Sequence, residues 1–285
     1  MAGLVLAIHA LLDAIKKDVD ARHKAGHDEA KRQSMSENSL TGKVAIVTGA
    51  GRNIGRAIAL QLAQAGASVV VNARSNKAEA DEVVRTIEAA GGKAIAALGD
   101  VADPADVAAI VDAALKQFGR IDRLVNNAAL RREKPVDQMT YADWREVMST
   151  TLDSAFHCVA ACIPAMKKAG GGTILNIGGM SAHIGSAGRA HVMTAKAGLV
   201  GFTRGLAHDL APYHITANCV VPGAIDTARP GTSLKPAHHL THGTITGERG
   251  KPDDVAAMVC FLCGPGARYV TGQTIHINGG AYLGV

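Results

Sequence analysis

The chain has 285 residues, 47% of them apolar and only 3% aromatic, with a formal charge of +5. That apolar fraction is enough for one large core. The mild, dispersed charge, with neither a basic stripe nor base-stacking aromatics, excludes a dedicated nucleic-acid binder. Five cysteines (Cys158, Cys162, Cys219, Cys260 and Cys263) lie in apolar stretches, and their odd number without a secretory signal points to a reducing, cytoplasmic setting. Cys260-x-x-Cys263 has the spacing of a redox pair, but it lies in the helical run VAAMVCFLC, where thiols read as small buried hydrophobes.

Residues 1–40 differ from all that follows. Leu4, Ile8, Leu11, Ile15 and Val19 recur every three or four residues, and the pattern ends in a charged stretch over 24–38. This predicts an N-terminal helical extension and linker, separate from a domain over 41–285. The apolar start LVLAIHALL is too short to span a bilayer, and no Lys or Arg precedes it as in a secretory signal, so no membrane association is expected. Met35 stands eight residues before the first strand, consistent with an extension read from an upstream start codon.

From Lys43 the sequence KVAIVTGAGRNIGRAIALQLAQA reads as strand, tight turn and helix. Gly49, Gly51 and Gly55 let backbone approach a ligand closely, and the open N–H groups of the helix start favour a phosphate, as in a nucleotide diphosphate. The spacing is not G-x-G-x-x-G, because the third position falls on Ile54. Further strands are predicted near 68–72, 93–98, 122–126, 172–177, 216–221 and 274–278, with helices between them, the longest over 141–168 and 188–212. Repeated β-α units with short connections imply an α/β fold: a doubly wound, parallel, seven-stranded Rossmann-like sheet in a single domain. Its ligand crevice lies at the carboxyl ends of the strands, where Gly49 to Gly55 fall.

The second strand ends in VVVNARS. A carboxylate there would accept a bond from the adenosine 2′-hydroxyl and select NAD, but Asn72, Ala73, Arg74 and Ser75 supply none. Arg74, with Arg52 in the glycine loop, can meet a 2′-phosphate instead, through charge-assisted bonds worth roughly 1.5 to 3 kcal/mol. NADP(H), rather than NAD, is the expected cofactor.

Thr48-Gly49-x-x-x-Asn53-Ile54-Gly55, Asp100-Val101, Asn126-Asn127-Ala128-Ala129, Lys196, Pro222-Gly223-x-Ile225-x-Thr227 and the ending TGQTIHINGG together resemble the short-chain dehydrogenase/reductase family, and 3-oxoacyl-carrier-protein reductases within it. The resemblance covers residues 41–285. It implies a Rossmann-like domain that forms a homotetramer or homodimer and transfers a hydride between NADPH and a carbonyl or alcohol substrate. By position it implies that Asp100 and Val101 hold the adenine, Asn127 and Ala128 the adenosine-side ribose and nicotinamide half, and Ile225 and Thr227 the carboxamide.

The chemistry of that family rests on a Ser, a Tyr, a Lys and an Asn. Lys196 is present, but the Tyr slot holds Val192, the Ser slot Gly179 and the Asn slot Thr151, while Asn53 and Ala129 replace loop glycines. A reductase with a substituted proton donor is one expectation, with His191, His183 and Ser181 as candidates because imidazole titrates near neutrality and a hydroxyl can orient a carbonyl. Adjacent helical residues point about 100° apart, which counts against His191. The alternative is a catalytically impaired NADP(H) sensor or an inactive partner subunit.

The substrate side falls in 224–250, which carries Arg229, Lys235, His238, His239 and His242. With Arg131, Arg132 and Lys134 beyond the fourth strand, these cations point to an anionic substrate. His238-His239-x-x-His242 has no adjoining carboxylate or cysteine, so no metal is expected.

Overall fold

The computed structural model describes residues 39–227 and 243–284. The predicted N-terminal extension, up to residue 38, and the cations and histidines between 228 and 242 lie outside the described residues.

Seven strands alternate with helices. β1 (Val44–Val47), α1 (Asn53–Gln64), β2 (Ser68–Ala73), α2 (Lys77–Ala89), β3 (Lys93–Leu98), α3 (Pro104–Phe118) and β4 (Arg123–Asn126) form the first half. α4 (Tyr141–Met148) and α5 (Ser154–Lys168) follow, then β5 (Gly172–Ile177), the short α6 (Ser181–Ile184), α7 (Ala190–Leu210), β6 (Ile215–Pro222), α8 (Pro252–Cys263) and β7 (Thr274–Ile277). All pairings are parallel, in the order β3-β2-β1-β4-β5-β6-β7. The expected seven-stranded, doubly wound α/β sheet is therefore the observed one.

Both faces of the sheet are buried, which is why its strands read as unbroken aliphatic runs. Ala45 and Val47 of β1, Val69 and Val71 of β2 and Leu175 of β5 pack on one side with Ile58 and Leu62 of α1, Val83 of α2 and Val259 of α8. Ile46, Val70 and Ile174, one residue out of phase, pack on the other side with Ile110 of α3, Cys158, Cys162 and Met166 of α5, and Leu206 of α7. The two-residue period of a strand thus builds two cores from one run of sequence. The cysteines are free thiols; four are buried, and burial pushes the Cys158 and Cys263 thiols up to about 12.

The stretch predicted as one helix over 141–168 is interrupted by a π-helical turn at Ser149–Asp153. No helix among the described residues is long and apolar enough to cross a membrane. Strand order reverses between β1 and β4, so the switch point opens directly above the β1–α1 loop.

Candidate active site

The β1–α1 loop is held shut from behind. Asn127 Nδ2 donates to the carbonyls of Thr48 and Gly49 at 2.9 and 3.0 Å, while Thr48 Oγ1 accepts from the N–H groups of Asn127 and Ala128. Asn72 closes the other flank: its Oδ1 accepts from the Gly49 N–H, and its Nδ2 reaches the carbonyls of Ala97 and Gly99. A Cβ on Gly55 would stand 2.3 Å from the Gly49 carbonyl oxygen and 2.5 Å from Asn127 Nδ2, so only glycine fits. Asn53, where the family prefers glycine, has φ +51°, a left-handed conformation that asparagine tolerates better than most residues. The substitution keeps the backbone shape that the loop needs. Arg52, at the cap of α1, makes no side-chain capping bond, which leaves first-turn N–H groups available to a ligand.

A cavity of about 560 Å³ lies over this loop, within the range of a ligand pocket. Gly49, Arg52, Asn53, Ile54 and Gly55 form its floor, and Asn127, Ala128 and Ala129 its central wall. Arg74 and Ser75 line one end with Asp100 and Val101, and Thr227 also borders the cavity. Asp100 is held in a turn, its Oδ1 accepting from the Ala102 N–H and its own N–H donating to Asp106 Oδ2. Asn76 and Glu79 line the same end and were missed by sequence reasoning. The signal was present as a helix cap, Asn76 Oδ1 accepting from the Glu79 N–H at 3.2 Å. The open N–H groups and glycine cradle suit a pyrophosphate, and the lining includes two guanidinium groups, those of Arg52 and Arg74.

A second cavity adjoins the first and shares Ile54, Asn127, Ala129 and Arg131 with it. Lys196, Pro222, Gly223, Ile225, Ser181, Gly179 and Val192 line it. Lys196 is 7% exposed, and its ammonium donates to the Ile177 carbonyl. Burial, reinforced by the charge of Arg131, pushes the amine down to about 7, with a small opposing effect of Cys219. Val192 is 2% exposed and packs with Val147 and Ala195.

The two histidines are elsewhere. His191 is wholly buried, does not line either cavity, and neither ring nitrogen has a hydrogen-bond partner. Burial lowers its basicity; Asp143 opposes this, while Arg189, Arg132 and Lys134 add to it. His183 stacks edge-on against His276 with ring centroids 4.6 Å apart and sits 5.7 Å from the Tyr282 ring. Thr151 lies in the π-helical turn, where its Oγ1 accepts from the Leu130 N–H at 3.4 Å. Of the sequence-derived candidates for chemistry, Lys196 and Ser181 are brought together and His191, His183 and Thr151 are not.

The loop cations also divide. Arg132 pairs with Glu146 at 2.7 Å and Lys134 with Asp143 at 2.5 Å; Arg131 lines both cavities. Arg189, 5% exposed, lines the second cavity and was not singled out from the sequence.

A family model described as enoyl-(acyl carrier protein) reductase matches residues 49–282. The chain is 39% identical over 243 residues to a 3-oxoacyl-[acyl-carrier-protein] reductase of Staphylococcus aureus, covering 85% of this chain and 98% of that protein. The chain belongs to the short-chain dehydrogenase/reductase family. Among solved members, a 7α-hydroxysteroid dehydrogenase complexed with NADH and 7-oxo glycochenodeoxycholic acid superposes with a TM-score of 0.81 and 37% identity, over 86% of this chain and 96% of that one. A short-chain dehydrogenase from Burkholderia cenocepacia in complex with NADP gives a TM-score of 0.80 at 37% identity, over 86% and 99%. Members of this dehydrogenase family are oxidoreductases that use NAD(P), and the two complexes between them contain both forms of the cofactor.

Proposed function

We propose that the chain is an NADP(H)-dependent carbonyl reductase in which Lys196 itself delivers the proton. The observation that carries this reading is the Lys196 amine, buried in the wall of the second cavity and shifted to about 7. Among the described residues lining that cavity, Arg131, Arg189 and Lys196 are the only ionisable groups, and an arginine cannot give up its proton at neutral pH. Bound NADPH would supply the hydride to the carbonyl carbon. The Lys196 ammonium gives its proton to the carbonyl oxygen, the product is the alcohol, and the neutral amine regains a proton from solvent. Ser181 orients the carbonyl from the start of α6, and Pro222, Gly223 and Ile225 wall the cofactor's reactive end.

Asn126 Nδ2 donates to Asn176 Oδ1 at 2.8 Å, and Asn176 Nδ2 donates to Thr203 Oγ1 at 2.9 Å. This buried chain ties the ends of β4 and β5 to α7, and so fixes Lys196 against Ile177. The reading is tested by following NADPH consumption with a panel of ketones, diketones and oxo acids. Turnover that survives His191→Ala and His183→Ala but not Lys196→Met supports it. Tight NADPH binding without turnover on any carbonyl favours the alternative, a nucleotide sensor or inactive partner subunit, whose supporting observation is Val192 in the tyrosine slot.

Preference for NADP(H) is supported by Arg52 and Arg74 at the cavity end. Arg74→Ala is expected to weaken NADPH binding about ten- to a hundredfold and leave NADH binding within twofold, read by titrating each nucleotide. The five free thiols favour a cytoplasmic setting. A homodimer or homotetramer paired through α4, α5 and α7 is supported by Phe156, 57% exposed on a groove shared with Phe202 and Leu152. Phe156→Glu should lower the mass measured by light scattering.

A further inference from the structure

We propose that Glu79 is a second determinant of cofactor choice, its carboxylate receiving the adenosine 2′-hydroxyl of NAD(H) and opposing the 2′-phosphate of NADP(H), so that the chain binds both; this rests on the first cavity being the nucleotide site. Two carboxylates stand among the described residues lining that cavity, Asp100 and Glu79. Asp100 is engaged, its Oδ1 accepting from the Ala102 N–H. The Glu79 carboxylate makes no ion pair or hydrogen bond among the described residues. The other charges in the first half of α2 are matched, Lys77 with Asp81 and Arg85 with Glu82, each at 2.5 Å. Glu79 is thus the carboxylate left open to a ligand.

Its place is set from two sides. Asn76 caps α2 by accepting from the Glu79 N–H, which puts Glu79 in the first turn of the helix. A glutamate at this position commonly returns its carboxylate to the N–H of the cap residue, and here no such reciprocal bond forms. The side chain lies against the glycine loop instead. A Cβ on Gly51 would stand 3.1 Å from Glu79 Cβ and 3.4 Å from its Oε2, so the glycine leaves the room that the carboxylate uses. In dinucleotide folds the acid that accepts from the ribose 2′-hydroxyl comes from the end of the second strand. Here that strand end supplies Arg74 and Ser75, and the acid comes from the helix that follows. Arg52 and Arg74 attract a 2′-phosphate, while Glu79 in the same lining repels it. The positive end of α2 also favours an acidic residue, a benefit that is equal for either nucleotide.

The test is calorimetry of the full chain with ADP-ribose and 2′-phospho-ADP-ribose. Neither carries a nicotinamide, so both read the adenosine end alone and need no turnover. The parent should bind the two with dissociation constants within about tenfold of each other. Glu79→Gln should tighten the 2′-phosphorylated ligand about fivefold or more and weaken ADP-ribose about threefold or more. Glu79→Asp, which keeps the charge, should retain the parent's ratio more closely than Glu79→Gln does, and NADPH and NADH should repeat the pattern. A Glu79→Gln variant that shifts both ligands by the same factor, or neither, assigns the residue to helix stability alone and overturns the proposal while the nucleotide site stands. A parent that binds the 2′-phosphorylated ligand more than about a hundredfold tighter overturns it as well. A parent that binds neither ligand removes the nucleotide site itself.

Discussion

Lys196→Met is expected to abolish carbonyl reduction and, at the same time, to raise the unfolding temperature near pH 6.5. The amine titrates at about 7 in the folded chain, against an ordinary value of 10.5, because burial and Arg131 both penalise its charged form. Between those two pH values the unfolded chain holds more protons than the folded one, so this residue's contribution to stability rises with pH across that window. Its penalty is fully present below pH 7 and gone above 10.5. At about 1.4 kcal/mol per pKa unit the ceiling is about 5 kcal/mol, and relaxation around a charged lysine reduces it. Loss of the bond to the Ile177 carbonyl costs about 1 to 3 kcal/mol in the variant. A net gain of about 2 kcal/mol remains, an increase of roughly 4 to 8 °C for a domain of this size. Thermal scans should therefore show the variant above the parent at pH 6.5, with that advantage lost or reversed toward pH 10, where the penalty is nearly gone and the lost bond to Ile177 remains. The kinetic side has a matching sign: parent reduction falls as pH rises through about 7, because the donor loses its proton, and the reverse oxidation rises. A variant that is less stable than the parent at both pH values, or that still turns over, would refute the role given to this amine.

The trade of stability for a poised amine also shows which parts of the site were open to reading from sequence. The sheet was legible because runs such as Val44 to Val47 and Gly172 to Ile177 are buried on both faces, and continuous aliphatic strands leave few other folds available. The cavity over the β1–α1 loop was legible as a crevice because its requirements are local: a close approach at Gly55, a left-handed residue at position 53 and Arg74 just after β2 all fall within short stretches of chain. The π-helical turn at Ser149–Asp153 was not, since no Gly or Pro marks it and the turn packs against α7, which lies far along the chain. Spacing on α7 was enough to warn against His191, because Val192 and Lys196, four residues apart, share the face that lines the cavity. It could not reveal Arg189, since a cap residue lies outside the helical period and its direction depends on tertiary packing.

The largest gain in rate is expected from Gly179→Ser combined with Val192→Tyr, which puts into the cavity the hydroxyl and phenol that the family resemblance leads one to expect at these two positions. Space exists for the first: a Cβ on Gly179 would meet only Lys196 Cγ, at an ordinary 3.8 Å. Val192 already lines the cavity that Lys196 also lines, so a phenol placed at its position borders the same space. It displaces packing against Val147 and Ala195, and overfilling of this kind costs about 1 to 3 kcal/mol. A lower unfolding temperature should accompany the gain. With a phenol beside the Lys196 ammonium, the proton donor sits nearer the carbonyl, and a well-placed general acid contributes about 10² to 10⁴ in rate. The double variant should raise kcat on a neutral ketone by about a hundredfold or more, with Val192→Tyr carrying most of the effect and Gly179→Ser alone less than about tenfold. Groups that act on one proton are not additive, so the double variant should exceed the product of the single changes. A folded, NADPH-binding double variant with no gain over the parent would mean that the two cavities do not hold cofactor and carbonyl in line, which is the geometry that a nucleotide sensor has no need to keep.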